Sequence, residues 1–316
     1  MIPSFLLRAA RRARALFVSS SQGVRVGLAA LSLLGLSSTS FAQTAAKTAP
    51  EVATVNWWQA IVLGLVQGLT EFIPVSSSAH LNITHYLLGQ HSRQLPFDVV
   101  LSVGTIIALA WYFLKDWKAL LSDKRQRWLL SLVLLSCVPA VLVAALSPIR
   151  HLEDTSKFFF SPFYNGLWMI LGGALLFIAD RVGSKKRTMS NLKNGDALII
   201  GASQALALIP GFSRSGSTIS AGLLLGLARE DAARFSFLMS LPISIGAVVF
   251  ELRHFKVSAL GAGPLEVVLG VVASGVSGFW AISFLLNYLR TRGLTPFFLW
   301  RVAVGLFAML YFWKMR

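Results

Sequence analysis

Cysteine is almost missing from this chain: Cys137 is the only one. That excludes a disulfide framework and a cysteine metal site. Cys137 lies in an apolar window and reads as a small buried residue. Charge is scarce too. Asp, Glu, Lys and Arg supply 13% of the residues, where a soluble domain carries roughly 25%. Acids are the scarcest, 13 against 29 basic residues, for a net charge of +16. Such a balance invites a nucleic-acid reading. The basic residues, however, are scattered between apolar windows without aromatic–basic interleaving, so no nucleic-acid partner is expected. They read as topology signals instead.

Hydrophobic residues make up 55% of the chain. The windows 97–114, 128–146, 162–180, 235–252, 264–286 and 296–313 are each long enough, or nearly so, to cross a bilayer as helices. The expected class is an all-α integral membrane protein in contact with membrane lipids. Residues 1–25 carry Arg8, Arg11, Arg12, Arg14 and Arg25 with no acid, followed by VGLAALSLLGL and SSTSFAQ. Residues 1–42 therefore read as a signal peptide cut after Ala42, or as an uncleaved N-terminal membrane anchor. Residues 43–56 form a polar lead-in, and 57–316 the polytopic domain. One loop carries Lys115, Lys118, Lys124, Arg125 and Arg127; another carries Arg181, Lys185, Lys186, Arg187 and Lys193. Both are placed in the cytoplasm. The nearly balanced loop 147–161 (Arg150 and Lys157 against Glu153 and Asp154) and residues 43–56 then lie outside.

Two stretches break the apolar pattern. Gln67 to His80 reads QGLTEFIPVSSSAH, and Ile209 to Thr218 reads IPGFSRSGST. Polar, irregular backbone at membrane depth is tolerated only where it is buried in protein or lines a wet cavity. Residues 57–73 form a helix that starts at the anchor pair Trp57–Trp58 and ends at Pro74. Residues 80–89 form a short return helix stopped by Gly89, which makes a re-entrant hairpin. The halves repeat: Ala60, Gly64 and Gln67 match Ala197, Gly201 and Gln204 at a shift of 137, and Phe97 and Ser102 match Phe235 and Ser240 at 138. Each half (about 57–180 and 196–313) is one re-entrant helical hairpin plus three transmembrane helices. Three is odd, so the repeat has inverted topology, and the two tips are expected to meet near the midplane.

Arg214 needs an anionic partner at that depth, and its planar fork suits phosphate oxygens. Gly211, Ser213, Ser215, Gly216, Ser217 and Thr218 surround it with amides and hydroxyls, an anion cradle opening a helix. The alternative is a structural ion pair with Glu71, the only other charge in either tip. Glu71 follows Gln67 by one helical turn, a spacing that suits two oxygen ligands for a hard cation such as Mg2+. The alternative for Gln67 is a hydrogen bond in helix packing. His80, beside Ser76, Ser77 and Ser78, is a candidate nucleophile or general acid–base. His85, His91, His151 and His254 lack such company and read as surface or packing residues.

These two stretches resemble the signature motifs of the bacterial undecaprenyl-pyrophosphate phosphatases of the BacA/UppP type. There the first motif runs E/Q-GxTEFxPVSSxGH and the second PGxSRSGxT. The resemblance extends from about residue 57 to the C-terminus, through FDVVLSVGTIIALAWYF and RFSFLMSLPISIGA. It implies hydrolysis of a polyprenyl diphosphate, undecaprenyl diphosphate, to the monophosphate for cell-wall synthesis, with bacitracin resistance. The setting is the bacterial cytoplasmic membrane, with the site opening to the outer face. By resemblance Glu71 and Gln67 serve a divalent cation, Mg2+ or alternatively Ca2+, and Glu71 also serves catalysis. Ser77 and His80 lie at the reacting phosphate with Ser76, while Ser213, Arg214 and Thr218 bind the diphosphate together with Ser215 and Gly216. Gln67 replaces a frequent glutamate, and Ala79 stands where glycine is usual. His80, Ser77 and water all remain open as the nucleophile, and a homo-oligomer remains open as the assembly.

Two rival functions fit parts of the pattern. Inverted repeats with re-entrant hairpins also build transporters. The acid-phosphatase-like lipid phosphatases need a later histidine with a carboxylate four residues on. After Ser217 the only histidine is His254, and Ser258 follows it, so that class fails.

Overall fold

The computed structural model describes residues 54–90, 95–146, 161–253 and 260–315. The signal peptide or anchor, nearly all of the lead-in, the loop 147–160, His91, His151 and His254 lie outside the described residues. Among the described residues the regular elements are helical, apart from one isolated bridge between Arg187 and Leu227. In chain order they are α1 (Trp57–Phe72), α2 (Ser77–Leu87), α3 (Leu95–Tyr112), α4 (Leu114–Ser122), α5 (Arg127–Leu146) and α6 (Pro162–Val182). Then come α7 (Asn194–Ser203), a 3-10 turn (Gln204–Leu208), α8 (Arg214–Leu224), α9 (Arg229–Leu252), α10 (Pro264–Leu289) and α11 (Thr295–Tyr311). The six apolar windows fall on α3, α5, α6, α9, α10 and α11. The first five of these helices lie in segments long and apolar enough to cross a membrane. Trp111, Ile178, Val276 and Leu310 point out of the bundle, a surface suited to lipid rather than water.

Local chemistry sets the hairpins. Asn56 and Gln59 close a capping box at the start of α1, which satisfies two amides that have no partner inside the helix. Pro74 has no N–H to continue α1. At the far end of α2, Gly89 takes φ 79°, the left-handed turn that ends many helices. One boundary differs from the sequence reading. The return helix begins at Ser77 rather than at residue 80, so Ser77, Ser78 and His80 occupy its first turn. Proline disfavours helix at the residue before it, not three residues after. The amphipathic α4 was also not foreseen, because it lies within a stretch read only for its basic charge.

Each hairpin's first arm packs on a helix far away in sequence, α1 along α10 and α7 along α5. In lipid, helices associate by close backbone approach. A Cβ on Gly64 would stand 2.9 Å from the Ala273 Cβ, and one on Gly201 would stand 2.8 Å from the Ser136 carbonyl carbon. These are the matched glycines of the two halves.

Opposite ends of α3 lie with different neighbours. Asp98, in its first turn, bonds His85 at the end of α2 (2.8 Å), and Asp116, just past its last turn, bonds Arg234 (2.6 Å). Arg234 belongs to a group of ion pairs around the first turn of α9, which includes Arg229–Asp180 at 2.6 Å and Arg290–Glu230 at 3.2 Å. Nearby, Arg187 joins Asp196 of α7 (2.6 Å) to the Leu225 carbonyl after α8 (2.8 Å).

Candidate active site

The two tips share an unusual backbone. Ser76 has φ 80° and Ser213 has φ 73°, and they stand one residue before α2 and α8. A left-handed non-glycine residue costs on the order of 1–3 kcal/mol and persists only where its surroundings fix it. Ser213 Oγ accepts from the Gly216 amide at 3.1 Å and caps α8. Ser76 makes no such cap. The Oγ atoms of Ser76 and Ser78 lie 3.3 Å apart, and those of Ser213 and Ser215 lie 3.2 Å apart.

Glu71 is where the tips meet. Its Oε2 accepts from Ser77 Oγ at 2.5 Å and from Gln67 Nε2 at 3.2 Å. Its Oε1 accepts from Arg214 Nη2 at 2.5 Å, and its backbone carbonyl accepts from Ser215 Oγ at 3.3 Å. Arg214 Nη1 donates to Ser244 Oγ at 2.6 Å. Of the two readings of Arg214, the ion pair with Glu71 is therefore formed. Both partners remain reachable, since their side chains are 24% and 18% exposed. Gln67, Glu71, Ser77 and Ser78 line a cavity of about 160 Å3 together with Asp98 and Ser102.

Other sequence candidates sit elsewhere. Thr218 is buried, and its Oγ1 bonds the Arg214 carbonyl (2.9 Å) and Ser236 Oγ (2.6 Å), so its hydroxyl is engaged in α8 and against α9. Gly216 gives its amide to Ser213, and a Cβ there would come within 2.9 Å of Arg301 Nη1. His80 shares a helix with Ser77 but bonds other groups. Its Nδ1 lies 2.8 Å from the Ser76 carbonyl, and its Nε2 lies 3.0 Å from Trp300 Nε1. Indole N–H can only donate, so Nε2 accepts and the proton sits on Nδ1.

Sequence reasoning passed over several groups. Arg301 and Trp300 lie inside a window read only as a crossing. Ser244 lies in α9, outside both motifs. His85 is a packing residue, as expected, but a polar one: it is fully buried, with Nε2 on Asp98 (2.8 Å) and Nδ1 on Gln90 Oε1 (2.5 Å). Asp98 in turn lines the cavity. Only its position two residues into FDVV marked it.

Donor chemistry around Glu71 suits a hard cation in part. The carboxylate, the Ser77 and Ser102 hydroxyls and the Gln67 amide face one cavity, and oxygen donors of this kind suit Mg2+ or Ca2+. Among the described residues no group of three His, Cys, Asp or Glu stands together as a metal cluster. A cation here would depend on Glu71, since the other carboxylate of the cavity, Asp98, is bonded to His85 through Oδ1, with water and substrate oxygens completing its shell.

Comparison with known proteins gives a consistent result. The family described as "Bacitracin resistance protein BacA" matches residues 60–307. The undecaprenyl-diphosphatase of Pelobacter propionicus is 43% identical over 263 residues, covering 79% of this chain and 95% of that protein. The undecaprenyl-diphosphatase of Moorella thermoacetica is 41% identical over 267 residues, 82% of this chain and 98% of that protein. That of Gemmatimonas aurantiaca is 40% identical over 264 residues, 79% and 95% respectively.

Proposed function

The chain belongs to the bacitracin resistance protein BacA family, and from that premise we propose that it hydrolyses undecaprenyl diphosphate to undecaprenyl phosphate and inorganic phosphate. It is a multi-pass protein of the bacterial cytoplasmic membrane, and the prenyl tail of its substrate lies along lipid-facing grooves. The observation that carries the chemistry is the contact of Ser77 Oγ with Glu71 Oε2 at 2.5 Å, beside Arg214.

That contact favours Ser77 as the nucleophile over His80, whose ring bonds Ser76 and Trp300 instead. Ser77 Oγ attacks the terminal phosphorus, and its proton passes to Glu71. The bond from phosphorus to the bridging oxygen breaks, and undecaprenyl phosphate leaves with the electron pair. Water then adds to phosphorus, Ser77 Oγ leaves and takes the proton back from Glu71, and phosphate departs. The Arg214 fork and the first-turn amides of α8 hold the charge that grows on the phosphoryl oxygens. Ser76 and Ser215 offer hydroxyls at the same tips. Glu71, with Gln67, would hold a divalent cation, Mg2+ or Ca2+, and such an ion supplies Lewis-acid charge at the phosphate oxygens. His80, held by Ser76 and Trp300, orients the turn that carries Ser77.

The test is phosphate release from undecaprenyl diphosphate by purified protein in detergent, with no membrane gradient, followed by a rapid acid quench. A phosphoserine survives acid and a phosphohistidine does not. Acid-labile label in place of acid-stable label would move the nucleophile to histidine. Absence of any phosphate release would favour the transporter alternative.

The two halves form an inverted repeat, and the first hairpin opens to the outer face. Support comes from the basic loops and from the bonds that place the mouth of the first hairpin and the ion-paired group at opposite ends of α3. In a Cys137→Ser background, Leu87→Cys should react with a membrane-impermeant thiol reagent in intact cells. Lys118→Cys should react only once the inner face is exposed. The reverse pattern would overturn the orientation.

A further inference from the structure

Arg301, in α11, belongs to neither motif. It is fully buried, at a depth where an unpaired charge is expensive. Among the described residues its partners are backbone carbonyls rather than a carboxylate. Its Nε donates to the Met169 carbonyl (2.8 Å), Nη1 to Pro74 (3.3 Å), and Nη2 to Gly211 and Phe212 (2.9 Å each). One guanidinium therefore spans α6 and both motif tips.

The choice of carbonyls is not arbitrary. Pro74 precedes Ser76 by two residues, and Gly211 precedes Ser213 by two. These are the two left-handed serines that open α2 and α8. A trans peptide points its N–H opposite its C=O. Turning the Phe212 carbonyl onto Arg301 therefore aims the Ser213 amide away from it, and pulling the Pro74 carbonyl in fixes the approach to Ser76. The chain also makes room for the guanidinium. A Cβ at Gly172 would press on Arg301 and stand 2.8 Å from the Phe212 carbonyl oxygen, and one at Gly216 would stand 2.9 Å from Arg301 Nη1. The motif glycine Gly216 thus has a packing reason in addition to its amide.

We infer that Arg301 is a positioning residue of the phosphatase: it pins both motif tips in one register, so that Ser77 and Arg214 reach Glu71 from opposite hairpins. It acts through the backbone carbonyls and does not touch substrate. This rests on the hydrolase reading above. A lysine keeps the charge but cannot span four carbonyls with a planar fork.

The test uses full-length protein in detergent with undecaprenyl diphosphate, measuring kcat and KM per folded molecule and the unfolding temperature. Arg301→Lys should lower kcat on the order of 100-fold, the cost of a misplacement of about 1 Å, with KM changed by less than about threefold, since Arg214 still holds the phosphate. A lower unfolding temperature with unchanged kcat in the folded fraction would overturn the inference and leave Arg301 a packing group. If Arg301→Lys does not fold, Gly172→Ala displaces the guanidinium without removing it and should give a smaller loss of kcat. Normal kcat in that folded variant would equally overturn the inference. Wild-type protein that releases no phosphate would instead sink the hydrolase reading, so the two failures are distinguishable.

Discussion

The two hairpin tips are built on the same backbone and carry different chemistry. Ser76 and Ser213 both take positive φ and precede short helices, and each lies about 3.2–3.3 Å from a second serine hydroxyl. Pro74 and Gly211 both give their carbonyls to Arg301. At the first position of the following helix one tip has Ser77 and the other Arg214, and both side chains converge on Glu71 at 2.5 Å. The arm of the second hairpin has Leu208 where the first has Glu71. A repeated framework thus supplies two helix N-termini, while side-chain divergence divides the labour. In the proposed mechanism the first tip holds the nucleophile and its base, and the second holds the cation that binds the anion.

If that division is right, loss of the cationic side is the most damaging change. Arg214→Ala should reduce turnover by at least about 1000-fold, because buried electrostatic stabilisation at a phosphoryl centre is worth several kcal/mol. It also leaves Glu71 without its counter-charge. Arg214→Lys should recover little, since the fork that serves Glu71 and Ser244 together is lost. Phosphate release by folded protein is the measurement, and near-wild-type activity in the alanine variant would end the assignment.

On the other tip, Ser77→Ala should lower kcat by roughly 100- to 1000-fold and leave no acid-stable phosphoprotein after quench. KM should move little, because the anion is held from the second hairpin. A Ser77→Ala variant with full kcat would move the nucleophile to water or His80 and remove Ser77 from the chemistry. It would erase the contrast between the tips.

Much of this was legible in the sequence, and for physical reasons. Apolar length fixes the crossings, Pro74 and Gly89 fix the first hairpin, and the scarcity of charge in either tip offers the Glu71–Arg214 ion pair as the alternative to a phosphate clamp. Arg301 was not legible. One arginine within an otherwise apolar helix has no periodicity or motif to mark it, and its partners are backbone carbonyls, which leave no trace in side-chain identity. The same holds for Trp300 on His80 and for Ser244 on Arg214. His85 reads from sequence only as a surface or packing residue, because its polar partner Asp98 lies thirteen residues away on the next helix. The inward face of Thr218, engaged with Ser236, also depends on a helix–helix contact that spacing within the motif does not contain.

The matched glutamines offer a sharper test of the asymmetry. Gln67 faces Glu71 and Ser102, whereas its counterpart Gln204 donates to the Ser136 carbonyl and its buried Oε1 has no hydrogen-bond partner among the described residues. Gln67→Glu would set a second carboxylate beside Glu71. Like charges at that separation repel unless a cation lies between them, so the Mg2+ concentration for half-maximal activity should fall about tenfold, since two carboxylates hold Mg2+ better than one. An unchanged requirement, or full activity after exhaustive chelation, would remove the cation from the first tip.

The smallest expected effect concerns the serines that open the two helices. Replacing either by alanine keeps a Cβ at positive φ, so both variants bear similar backbone strain. They differ in what the hydroxyl does. Ser213 Oγ accepts the Gly216 amide at 3.1 Å, and loss of such a cap costs typically about 1 kcal/mol. Ser76 Oγ makes no side-chain cap, and it lies 3.3 Å from Ser78 Oγ. Ser213→Ala should therefore unfold at a temperature a few degrees lower than Ser76→Ala, read by thermal inactivation in the same detergent. Equal unfolding temperatures would mean that the two tips share one capping scheme, and their functional difference would then rest on Ser77 and Arg214 alone.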